Sequence, residues 1–201
     1  DFVTNLQNGS LVEALQQGMN AMALNEIHYG SALARLSDLV TEYQDHDPGA
    51  LLTQLRVEYM RLFIGPQDPV VPIYETFHRE HYAEGVQPLL YVSPTAAAVK
   101  KQYRQAGVEV ASHEAPDHLV TELEFLVFLC NKEAQAWQDG NNTMSKKWRR
   151  LQYGFLEAHL GLWAVSLCHQ VQEVTKEPFY CYFASLAETF LHMETGAFQP
   201  R

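Results

Sequence analysis

Apolar residues recur at helical spacing along most of the chain. A helix brings residues three or four positions apart onto one face, so apolar stripes at that spacing predict amphipathic helices. Near the start, Ser10 and Glu13 have the spacing of a capping box, and apolar residues follow at helical spacing at Leu11, Leu15, Met19 and Met22. The same pattern fills further segments, which span 27–43, 50–63, 94–106, 117–138, 146–176 and 178–193. The chain is therefore predicted to be helical along most of its length.

Proline and glycine mark the interruptions between these helices. Residues 64–74 read IGPQDPVVPIY, where a glycine and three prolines predict a rigid loop. Ser93 and Pro94 suit the N-cap and first position of the next helix, which Gly107 can end. The segment GVEVAS, from Gly107 onward, is the only strand-like candidate.

These patterns predict an all-α protein. We expect a single compact helical domain over 1–201 with about seven to eight helices. Its two unequal halves, about 1–92 and 93–201, would be joined around the proline-rich loop.

Composition and charge limit the classes of function. The 201 residues are 47% hydrophobic, which is enough for a sizeable core, and no run approaches the roughly 18 apolar residues of a membrane span. The start lacks the pattern of a secretory signal, so a cytoplasmic protein without stable membrane insertion is expected. A net charge of -10 argues against nucleic acid and favours a basic partner. The three cysteines form no CxxC pair and are predicted to be reduced core residues.

The segment EAPDHLVTELEF, 114–125, concentrates charged groups at the entry to a helix that is apolar around most of its circumference. Such a helix is expected to be largely buried, with its acids at the rim of a core or in a cleft. In a structural interpretation, Asp117 caps the helix and His118 pairs with Glu122 at i, i+4.

A metal site is the chemical alternative for this segment. It would gather His78, His81, His113, His118 and Glu122. The chain has no HExxH motif and no carboxylate–histidine repeat of the di-iron type, so the spacing gives this alternative little support. Nucleophile elbows and the common nucleotide-binding loops are also lacking.

The proline-rich loop offers a second kind of site. A preordered apolar surface can be formed by its prolines together with Val70, Val71, Ile73, Tyr74 and Phe77. Apolar walls with a few charges are typical of peptide sites, although simple packing explains the same composition equally well.

Three ordered motifs resemble the TorD/DmsD group of cytoplasmic chaperones for molybdenum oxidoreductases. They are EYMRLFIGPQDPVVPIYET at 58–76, APDHLVTELEFL at 115–126 and EPFYCYFASLAETFL at 177–191. The resemblance covers about 50–195. It implies a non-enzymatic protein that binds the twin-arginine signal peptide of a molybdopterin-containing reductase and holds the folded body of its catalytic subunit before export.

The resemblance also implies a site, carried over by motif position. Recognition of arginines calls for carboxylates beside an apolar groove, because guanidinium pairs well with carboxylate. Asp117 and His118 are expected to line this groove, with Glu122 and Glu124 as further acids. The opposite wall would comprise Leu62, Phe63, Gly65, Pro66, Pro72 and Tyr74.

Several alternatives stay open at this point. A helical metalloenzyme using the clustered His/Glu residues is the alternative function. No cofactor is predicted, and guanine-nucleotide binding, which the resemblance allows, has no motif in the sequence. The client could be a trimethylamine oxide, dimethyl sulfoxide, nitrate or related reductase.

Overall fold

The computed structural model describes residues 26–43, 46–66, 68–80, 92–110 and 115–197. Within these ranges the secondary structure is helical, apart from one isolated β-bridge. Eight α-helices are present there, together with a π-helix at Met60–Ile64. They are α1 Glu26–Tyr43, α2 Pro48–Tyr59, α3 Glu75–Arg79, α4 Pro94–Gln105, α5 Leu119–Gln138, α6 Asn142–Ala158, α7 Leu160–Val174 and α8 Pro178–Ala197. The all-α prediction is confirmed, while the helix predicted after Ser10 lies outside the described residues.

Helix boundaries that depend on local chemistry agree with the sequence. The side chain of Ser93 accepts a 2.9 Å hydrogen bond from the backbone N–H of Ala96, as an N-cap does. Gly107 follows the end of α4 with a φ of 78°, where glycine is favoured. The described part of GVEVAS forms no strand. Of the described helices, none is long and apolar enough to span a membrane.

The helix predicted over 50–63 changes geometry before the proline-rich loop. After Tyr59 it continues as the π-helix, which ends at Gly65. Gly65 has a φ of 64°, and a Cβ placed there would lie 2.1 Å from the backbone oxygen of Asp68. The carbonyl of Leu62 accepts a 2.8 Å bond from the N–H of Val71, so the loop returns onto the π-helix. Only glycine fits this turn.

The chain divides into two compact units. The first unit comprises Asp1–Val71 and Cys168–Phe190, and the second comprises Pro72–Leu167 and Leu191–Arg201. This division differs from the halves expected at 92/93, because its first boundary falls inside the proline-rich loop and the later ones fall within α7 and α8. The single-domain organisation stays a prediction.

A bidentate ion pair stabilises the first unit. Both side-chain oxygens of Glu58 accept bonds from Arg61 at 2.8 Å, and Glu58 also accepts from Thr175 and from the N–H of Lys176. Arg61 further donates to the carbonyl of Val174 at 2.7 Å. The bonds that Glu58 accepts lower its pKa to about 2, and the bond from Arg61 has the largest effect. Through these contacts the ion pair holds the end of α2 against the α7–α8 connection.

The second unit has an aromatic core. The ring of Phe125 lies 4.5 Å from that of Tyr103 and 4.9 Å from that of Phe155, measured between centroids. The expectation that α5 is largely buried is wrong, since it exposes an apolar stripe comprising Val120, Leu123 and Val127. Its acids therefore occupy different environments, depending on the face of the helix.

Two further details of the second unit differ from expectation. The helix predicted over 146–176 begins at Asn142 and breaks at His159, which caps α6 with a non-helical φ of -133° and ψ of -99°. A Cβ at Gly161 would lie 2.5 Å from the Leu156 carbonyl oxygen, so glycine allows the close approach of the next helix. Cys130 of the second unit is exposed and not a core residue, whereas Cys168 of the first unit is buried as predicted.

Candidate functional site

The APDH motif pairs with the end of the proline-rich loop within the second unit. Tyr74 and His118 form an antiparallel bridge. On either side of it, the N–H of Leu119 donates to the Ile73 carbonyl at 3.0 Å, and that of Glu75 to the Asp117 carbonyl at 2.9 Å. The rings of Tyr74 and His118 meet edge to face at 5.0 Å. Two motifs far apart in sequence are thereby joined.

Asp117 has no exposed surface and bonds to a neighbouring helix. Its Oδ2 accepts from the N–H of Thr76 at 3.1 Å and from the Thr76 hydroxyl, so it caps α3. The Thr76 hydroxyl proton is committed to Asp117, so Ser93, 2.7 Å away, donates to Thr76. Burial raises the pKa of Asp117, and the bonds from Thr76 partly oppose this.

The prediction that Asp117 caps its own helix is wrong. The N-cap of α5 is His118, whose Nδ1 accepts a 3.1 Å bond from the N–H of Val120. His118 immediately precedes the helix in an extended conformation, which leaves Asp117 one position too early to reach the free N–H groups. The pairing of His118 with Glu122 stays a prediction.

Glu122 is also fully buried, beside a second buried acid. Its Oε2 accepts from Nε1 of Trp163 at 3.1 Å. Burial, reinforced by the negative charge of Glu75, raises the pKa of Glu122 well above 4.5 and favours its protonated form. That form can donate to Glu75, which pairs with Arg79 and lies 3.0 Å from Nδ1 of His159. Buried acids that bond to neighbouring side chains in this way are typical of a network that stabilises the fold.

The ten residues predicted for the site differ in their exposure to solvent. In the second unit, Asp117, His118 and Glu122 are buried, Pro72 and Tyr74 are half-buried, and Glu124 is exposed. In the first unit, Leu62 is buried, Phe63 and Gly65 are half-buried, and Pro66 is exposed. Of the predicted acids, Glu124 is the one that a partner can reach in this conformation.

Glu124 borders a cavity of about 310 Å³ in the second unit. Apolar and aromatic side chains form most of its lining, and a second exposed carboxylate belongs to Glu109. Concave sites with apolar walls and a few polar groups are typical of ligand and peptide binding.

The metal alternative finds no support in the described residues. Nε2 of His78 lies 2.8 Å from the Pro72 carbonyl, and its ring lies 5.1 Å from that of Trp163. Burial lowers the pKa of His78. No group of three or more metal-ligating side chains occurs in the part of the chain that the structure describes, and His81 and His113 lie outside that part.

Sequence reasoning missed several residues that organise this region. They are Glu75, Thr76, Ser93 as a partner of Thr76, Tyr103 and Trp163. The hydroxyl of Tyr103 donates to the Pro116 carbonyl at 2.7 Å and so anchors the APDH motif. The available signal was the pair Glu75 and Thr76 at the end of the apolar PIYET segment. Polar residues in such a setting indicate buried hydrogen bonds, because buried polar groups require partners.

Comparison with known proteins identifies the family. A family model described as nitrate reductase delta subunit matches residues 25–169, well over half of the chain. The chain belongs to the nitrate reductase delta subunit family. The match includes both the proline-rich loop and the APDH motif, and no solved structure matches the chain.

Curated proteins similar to this family member are assembly chaperones. The selenate reductase assembly chaperone protein of Thauera selenatis is 32% identical over 180 residues, covering 88% of this chain and 86% of the relative. The chlorate reductase assembly chaperone protein of Ideonella dechloratans is 31% identical over 145 residues, with 71% and 69% covered. The perchlorate reductase assembly chaperone protein of Dechloromonas aromatica is 29% identical over 133 residues, with 64% and 56% covered.

Membership of the nitrate reductase delta subunit family confirms the resemblance to the TorD/DmsD chaperones. Such proteins are assembly chaperones and not catalysts, so the predicted non-enzymatic, chaperone role is also confirmed. The metalloenzyme alternative is not favoured.

Proposed function

We propose that this protein assists the assembly of a molybdenum-containing reductase that acts on an oxyanion. The observation that carries the proposal is the similarity to the selenate reductase assembly chaperone, which extends over 88% of the chain. The chlorate and perchlorate relatives share this kind of client, since each name specifies a reductase of an oxyanion. Among the clients left open by the sequence, nitrate and related oxyanion reductases fit best.

We further propose that the chaperone binds the twin-arginine signal peptide of its client in the cytoplasm, before export. The net charge of -10 supports a basic partner, and Glu124 supplies an accessible carboxylate beside an apolar cavity. Arginine is the natural counterpart, because its guanidinium pairs with carboxylates while its alkyl stem packs on apolar surface.

The predicted site residues divide into two roles in this proposal. Glu124, Pro66 and the half-buried residues Phe63, Gly65, Pro72 and Tyr74 are candidates for contact with the peptide. Leu62, Asp117 and Glu122 act as positioning residues, because they are fully buried. His118, whose ring contacts that of Tyr74, links the two groups.

Calorimetric titration tests the function. The full-length protein is titrated at low salt with the twin-arginine signal peptide of the oxyanion reductase encoded nearest to its gene. We expect saturable binding that weakens when both arginines are replaced by glutamine. Absence of binding to any such peptide, by protein whose folding has been verified, would refute signal-peptide recognition. Co-purification with the reductase catalytic subunit lacking its signal peptide tests the assembly role separately.

A further inference from the structure

The cavity beside Glu124 has a rigid aromatic floor. Tyr103 and Phe125 are almost fully buried there, and both rings also pack against Phe155. The Tyr103 hydroxyl is fixed by its bond to the Pro116 carbonyl, and burial raises its pKa. Side chains held in this way provide a preformed surface, which lowers the entropic cost of binding.

The rim of the cavity carries two exposed carboxylates, Glu109 and Glu124. Arg104 lies 3.9 Å from Glu109, but both side chains are more than half exposed, so this ion pair contributes little and is readily exchanged. No cation among the described residues forms an ion pair with Glu124.

The ring of Phe128, which also lines the cavity, is already in contact with a cation. Nζ of Lys132 lies 5.5 Å from the centroid of the Phe128 ring, within the range of a cation–π interaction. A second cation entering from the carboxylate side would meet aromatic faces and negative charge together. An anionic ligand would be repelled, and a purely apolar one would desolvate carboxylates without compensation.

We propose that this cavity is the subsite for an arginine side chain of the bound peptide. The assignment rests on the proposed signal-peptide recognition and adds its location: the guanidinium pairs with Glu124 and Glu109, and the alkyl stem lies against Phe125 and Phe128. Arginine fits better than lysine, because its planar group can pair with a carboxylate and stack on a ring at once.

The test combines protein and peptide variants in one titration series. The proteins are the parent, Glu124→Gln, the double variant Glu109→Gln/Glu124→Gln, and a control, Glu157→Gln. Glu157 is an exposed carboxylate of the same unit that does not line the cavity, so its variant changes net charge by as much as Glu124→Gln does. The peptides carry the two arginines, two lysines or two glutamines.

We expect the parent to prefer the arginine peptide over the glutamine peptide by at least about tenfold, the equivalent of one charge-assisted contact. Glu124→Gln should reduce this preference about threefold to fivefold, and the double variant should nearly abolish it. Glu157→Gln should retain it. The salt dependence of arginine-peptide affinity should also be smaller for Glu124→Gln than for the charge-matched Glu157→Gln.

The two proposals fail in different ways. If the parent binds the arginine peptide selectively and the double variant keeps the same selectivity, signal-peptide recognition stands and the subsite is refuted. If the parent binds none of the peptides, the function itself is refuted and the subsite with it. Glutamine replacements at these exposed positions are not expected to unfold the protein, which thermal unfolding of each variant verifies.

Discussion

Replacing Asp117 by alanine should destabilise the second unit. The change removes the acceptor for two buried donors of Thr76, its backbone N–H and its hydroxyl. Each buried donor left without a partner costs about 1–3 kcal/mol, and removal of a costly buried carboxylate returns part of this. We expect a net loss of about 2–4 kcal/mol. For a protein of this size, that lowers the melting temperature by roughly 5–12 °C.

Thermal unfolding monitored by circular dichroism measures this loss, and a double-mutant cycle with Thr76→Val assigns it. Because both residues belong to one hydrogen-bond network, their combined effect should fall short of the sum by about 1 kcal/mol or more. Glu124→Ala is the matched control, since this exposed acid should change stability by less than about 0.5 kcal/mol. The reasoning is refuted if Asp117→Ala matches this control, or if the two losses simply add.

Three further predictions concern the remaining strained or charged positions. Gly65→Ala should lower the melting temperature by several degrees, because its φ of 64° and the 2.1 Å approach of the Asp68 oxygen exclude a side chain; an unchanged melting curve would contradict this. Glu58→Gln should be less stable than the parent at neutral pH. Urea titrations should show the difference shrinking as pH falls from 4.5 through 2, below which the parent carboxylate is mostly protonated in the folded state as well as in the unfolded one. Glu122→Gln should gain stability relative to the parent as pH rises above 4.5, because the raised pKa means that ionisation of Glu122 destabilises the folded state. An equal stability difference between variant and parent at pH 5 and at pH 8 would contradict the burial argument.

Features set by neighbouring residues were the ones that the sequence predicted well. Ser93 caps α4 and Gly107 follows its end because each acts on N–H or carbonyl groups within a few positions. The lapse of regular structure at Gly65 follows in the same way from local backbone chemistry. Apolar periodicity was sufficient for the all-α class.

Features that depend on distant partners were not predictable. Asp117 was expected to cap its own helix, but the acceptor is used by Thr76, 41 positions away in the chain. The break at His159 interrupts an apolar run without proline, and Gly161 was the weak signal for it. The exposure of Glu124 and the burial of Glu122 follow from the orientation of α5 in its unit, which periodicity around a mostly apolar helix does not fix.

The burial of Asp117 has a consequence for how variants of the APDH motif are interpreted in titrations. A residue that supports the folded state without touching the ligand changes only the fraction of molecules competent to bind. Its loss raises the apparent dissociation constant by the factor by which the competent fraction falls, while competent molecules keep their intrinsic affinity. An exposed residue such as Glu124 should instead change the intrinsic dissociation constant while the folded fraction stays unaltered. Recording both quantities for each variant separates the residues that build this chaperone from those that contact its partner.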